Sequence, residues 1–148
     1  MAIHAYAGPI EPRSMDICVA VAREQLDLFV LDVKTLADRC ECVGQKHNGK
    51  LPLSKVTWSK SGKSNFALDL VDCAEVDIVT FYSDATFKAA NGRLKEKGLS
   101  DADITRFSTC VGNGAFNEVR RVVFSTRSAK LDKARFREMY RNCEAAKN

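Results

Sequence analysis

A chain of 148 residues with 45% hydrophobic and 28% charged residues has ordinary globular composition and a length that suits one domain. No stretch reaches the roughly 18 apolar residues of a membrane span, and the opening MAIHAYAGPIEPR lacks the basic start and apolar run of a secretion signal. These features predict a soluble cytoplasmic protein that does not engage a membrane.

Net charge is +4, unevenly placed: residues 1–48 carry 5 basic and 7 acidic groups, 49–117 carry 9 and 8, and 118–148 carry 9 and 4. The cysteines at 18, 40, 42, 73, 110 and 143 are scattered through apolar stretches. With no secretion signal, that scatter predicts reduced, buried thiols in a reducing compartment.

Taken in chain order, Pro9 and Pro12 hold Met1 to Arg13 as an extended arm, because each fixes its own φ and disfavours helix in the residue before it. Ser14 can cap a helix lying within 14–43, where Leu26, Phe29, Val30, Val33, Leu36, Ala37 and Cys40 keep helical spacing. The β-branched stretch Phe29 to Val33 reads equally as a strand, with a break near Gln25. Gly44, Asn48, Gly49 and Pro52 mark a loop.

The period then changes to two. Leu53 to Trp58 reads as a strand, Ser59 to Ser64 as a turn, Phe66, Leu68 and Leu70 as the partner strand, and Val76 to Tyr82 as a third. Ser83 or Asp84 opens a helix that Gly98 stops. Ser100 and Asp103 form a capping box for a short helix through Cys110, closed by Gly112, Asn113 and Gly114. Glu118 to Thr126 reads as a fourth strand, and a final helix follows Ser128, from Ala129 or Lys130 to Ala146. The order α-β-β-β-α-α-β-α predicts a single α+β domain over 14–148, an antiparallel sheet of about four strands packed against helices.

Few motifs carry chemistry. Gly62, Lys63 and Ser64 have the letters of a phosphate-binding loop, but Thr57 stands where the first glycine belongs and a strand follows in place of a helix. Cys40, Cys42 and His47 supply only three ligands without a second pair at zinc-site spacing, so no metal and no cofactor are expected. Asp69, Asp72, Glu75, Asp77 and Asp84 are acidic neighbours that strand alternation reads as a solvated edge. Asp32, Val33 and Lys34 have a nuclease-like spacing without a partner carboxylate. No nucleophile, acid and base come together, so no enzyme activity is expected and no catalytic residue is assigned.

What stands out is cationic. In the last helix Phe136, Met139, Tyr140, Cys143 and Ala146 form a core-facing stripe, while Lys130, Lys133, Arg137 and Arg141 fall in an adjacent arc. Arg120 and Arg121 precede it. Lys60 and Lys63 stand at the hairpin tip with Trp58 beside them, either as a core residue or as a base-stacking platform. The leading expectation is a small binding protein that contacts nucleic acid, RNA or single strands, through these residues. The alternative is a protein-interaction or assembly module, such as an oligomeric subunit, regulator or inhibitor. It would dock through Met1 to Arg13 and meet its partner across opposed charged surfaces.

Overall fold

The computed structural model describes residues 12–22, 33–46, 68–126 and 131–145. They form six helices, with no strand among the described residues: α1 Pro12–Val21, α2 Val33–Lys46, α3 68–73, α4 Glu75–Glu96, α5 Asp101–Thr126 and α6 Lys133–Ala145. The α+β expectation is therefore overturned. Val76 to Tyr82 and Glu118 to Thr126, predicted as strands, lie inside α4 and α5, and Leu68 and Leu70 belong to α3. Residues 53–66 of the predicted hairpin lie outside the described residues, as do 23–32, where the Gln25 break was expected.

The chain divides into two compact units. Described residues of the first are 12–22, 33–46, 68–74 and 120–126; those of the second are 75–119 and 131–145. In the first, Pro12 opens α1, where a missing N–H and a fixed φ are tolerated, and α1 packs on α2. Cys18, Leu36, Cys40, Val43, Leu70, Val71 and Val123 are buried there. Two disulfides staple the unit, Cys18–Cys40 and Cys42–Cys73. Asp72 and Arg120 form a two-pronged ion pair, Nε to Oδ1 at 2.8 Å and a second guanidinium nitrogen to Oδ2 at 3.3 Å.

The second unit is built on a helical hairpin. Gly98 has φ of 86°, the left-handed conformation that glycine adopts without a Cβ penalty. There the Gly98 N–H donates to the Lys95 carbonyl at 2.9 Å and the Leu99 N–H to the Leu94 carbonyl at 3.1 Å. That double closure ends α4, where Gly98 was expected to stop the helix. Across the turn the Asp103 N–H donates to Ser100 Oγ at 3.1 Å and the Ser100 N–H to Asp103 Oδ2 at 3.3 Å, the expected capping box.

The helix it opens does not close at Gly112. Ile104, Phe107, Ser108, Val111, Ala115, Phe116, Val119 and Val123 are all buried at the 3–4 residue spacing of one helical face, and Gly112 to Gly114 lie within it. A Cβ on Gly112 would collide with Ser83 Oγ and lie 2.6 Å from the Val79 carbonyl oxygen. Here glycine serves close helix approach, not a turn. On α4 the inward face runs Ile78, Val79, Tyr82, Ser83, Thr86, Phe87, Ala90, Asn91 and Leu94. That face is helical in period, but Ser83, Thr86 and Asn91 hide it from a hydropathy reading.

Helix α6 closes the core: Ala90, Leu94, Ile104, Phe107, Val111 and Cys143 cluster, with Phe87, Leu99, Phe136 and Tyr140 packed against them. The Cys110–Cys143 disulfide ties α6 to α5. All six cysteines are thus paired in the structure, where the sequence reading expected buried, reduced thiols. Pairing depends on which distant sulfurs the fold brings together, and linear spacing does not report that.

Candidate interaction surface

Helix α6 begins where Asp132 accepts the Arg135 N–H on Oδ1 at 2.7 Å and the Phe136 N–H reaches the Asp132 carbonyl at 3.2 Å. This is an aspartate N-cap, later in the chain than the predicted start near Ala129 or Lys130. Its inward face is held three ways. Cys143 is bonded to Cys110; Met139 is buried, with its side chain 3.6 Å from where a Cβ on Gly114 would sit; and Tyr140 packs edge-on against Phe107 at 4.7 Å between ring centroids.

The α4 end adds a clasp. Arg93 donates to the Tyr140 hydroxyl, pairs with Glu144 at 3.2 Å and lies 5.5 Å from the Tyr140 ring centroid, in the range of cation–π attraction. On the opposite flank Arg135 reaches Glu118 at 3.8 Å.

With the helix held in this rotation, Lys133, Arg137 and Arg141 point outward and are exposed. Glu144 and Glu118 are engaged by Arg93 and Arg135. Among the described residues no ion pair includes Lys133, Arg137 or Arg141. At a rise of 1.5 Å per residue, the three cations follow one another at about 6 Å along the helix.

Beside the strip lies a groove of about 290 Å³ lined by Tyr82, Leu131, Asp132, Lys133, Phe136 and Arg137. Tyr82 and Phe136 are half-buried, with ring centroids 6.0 Å apart. Phe81 is exposed and stands edge-on to Tyr82 at 5.3 Å. Burial raises the Tyr82 hydroxyl pKa above its ordinary value, because the phenolate loses solvation.

The other sequence-derived candidates are placed differently. Lys130, Lys60, Lys63 and Trp58 lie outside the described residues, and so does Gly62 to Ser64. Arg120 is occupied by Asp72, which holds its guanidinium pKa above the usual value through a side-chain hydrogen bond. Arg121 is exposed and makes a contact of its own. Both belong to the first unit, whereas α6 belongs to the second. Cys40 and Cys42 carry no thiolate to offer a metal, being in disulfides. No group of three or more His, Cys, Asp and Glu converges among the described residues, and no described helix is long and apolar enough to cross a membrane.

Sequence reading missed Tyr82, Leu131 and Asp132 as neighbours of the strip, and placed Phe136 on the core-facing stripe beside it. Asp132 was findable, since an aspartate immediately before the helix-forming run Lys133 to Arg135 is a helix-start signal. Tyr82 was hidden by its assignment to a strand. No family model, curated protein or solved structure matches this chain.

Proposed function

We propose that this chain is a non-catalytic binding module that holds an anionic partner, a protein in the first instance, on the Lys133, Arg137 and Arg141 strip of α6. The observation that carries the reading is three exposed cations in one row on a helix whose other face is anchored by a disulfide and an aromatic clasp. Like charges at this spacing repel by a few tenths of a kcal/mol per pair, and an acidic partner relieves that repulsion. A protein partner is preferred because all six cysteines are bridged, which suits an oxidising compartment in place of the cytoplasm expected from sequence.

A nucleic-acid partner is the second reading. It draws on the same cation row beside exposed Phe81 and half-buried Tyr82, since basic strips with aromatic neighbours suit single strands. Polyglutamate and single-stranded polyuridylate, each titrated by anisotropy at low and high salt, separate the two. The expected result is salt-sensitive polyglutamate binding that the triple variant K133A/R137A/R141A weakens by roughly tenfold. Tighter binding of polyuridylate makes the second reading the better one. An unchanged affinity in the triple variant removes both. Counting alkylatable thiols in protein isolated without reductant tests the compartment, and any free thiol argues against it.

A further inference from the structure

We infer that the groove lined by Tyr82, Leu131 and Phe136 receives an apolar side chain from an acidic polypeptide segment whose carboxylates meet Lys133 and Arg137. This rests on the anionic-partner reading and names the form that partner takes. Three observations carry it. The lining is divided, with apolar Tyr82, Leu131 and Phe136 set against cationic Lys133 and Arg137. Asp132, the one carboxylate among these described lining residues, already accepts the Arg135 N–H at 2.7 Å, so its charge is engaged by its own helix start. At about 290 Å³ the groove falls at the lower limit of small-molecule pockets, a size that suits one inserted side chain.

The aromatic geometry argues against a nucleobase sandwiched between the two rings. Tyr82 and Phe136 stand 6.0 Å apart, within the range of rings packed directly on each other, so no slot remains between them for a stacked base. They are also half-exposed, leaving apolar area for a partner to cover, and Tyr and Arg are residue types enriched at the centres of protein interfaces. Charge complementarity then selects an acidic segment over a basic one.

The test uses the full oxidised chain and two fluorescein-labelled pentapeptides, four glutamates around a central phenylalanine and the same peptide with central alanine. Anisotropy is expected to show the phenylalanine peptide binding about tenfold tighter. Tyr82→Ser, and independently Leu131→Ser, should abolish that difference while leaving the alanine peptide nearly unchanged; circular dichroism melts establish that each variant is folded. The double reversal Lys133→Glu with Arg137→Glu should weaken both peptides. Equal affinity for the two peptides, still lost on charge reversal, overturns the side-chain groove while the anionic reading stands. Binding of neither peptide overturns both, and an oligouridylate that competes better than the phenylalanine peptide assigns the groove's surroundings to nucleic acid and overturns the inference.

Discussion

Gly112 and Gly92 are both glycines inside helices, yet their surroundings predict opposite responses to the same change. A methyl group at Gly112 meets the Val79 carbonyl oxygen at 2.6 Å as well as Ser83 Oγ, and backbone cannot withdraw as a flexible side-chain tip can. Gly112→Ala should therefore destabilise by about 1–3 kcal/mol. Gly92 is exposed with nothing within 4 Å of a new Cβ, so Gly92→Ala should stabilise by about 0.5–1 kcal/mol through better helix propensity. Urea titrations of both variants check the pair, and a neutral Gly112→Ala would mean that the two helices separate more readily than their packing implies. Tyr82 adds a pH dependence. Its folded pKa is raised above the ordinary 10.0, so its contribution to stability is fully present below about pH 10 and is lost as pH rises through the folded value. Thermal melts between pH 8 and 11 should show less alkaline loss in Tyr82→Phe than in the parent chain.

Helix boundaries show which signals are local. The Gly98 stop and the Ser100–Asp103 box were legible because each depends on a few neighbouring residues and a fixed hydrogen-bond pattern. Asp132→Ala should cost about 1 kcal/mol through loss of the α6 cap. It should also raise hydrogen exchange in the first turn of α6; an unchanged first turn would show that the Cys110–Cys143 anchor alone sets the helix start. Strand readings at Val76 to Tyr82 and Glu118 to Thr126 failed for a physical reason. β-Branched residues favour strands only weakly and context overrides them. The helical face that wins contains Ser83, Thr86, Ser108 and Gly112, whose small size permits close packing but erases the apolar periodicity. Among the described residues, the buried Thr86 and Ser108 hydroxyls have no hydrogen-bond partner.

At the scale of the molecule, three disulfides close loops with sequence separations of 22, 31 and 33. Loop-closure entropy assigns roughly 3–4 kcal/mol to each, a large share of the 5–15 kcal/mol typical of a folded protein. Cys110→Ser with Cys143→Ser should lower the melting temperature clearly and loosen α6, and the cation strip with it. A double variant that melts like the parent would show that α6 is held by packing alone. The sequence by itself determined the Ser100–Asp103 box, the Gly98 stop and the division of α6 into an anchored face and a cationic face, since these follow from spacing within a turn or two. Tertiary structure alone decided which cysteines bond, that 75–82 and 118–126 are helical, and that Tyr82 stands beside Phe136. Each of these depends on groups far apart in the chain, whose proximity no local pattern encodes.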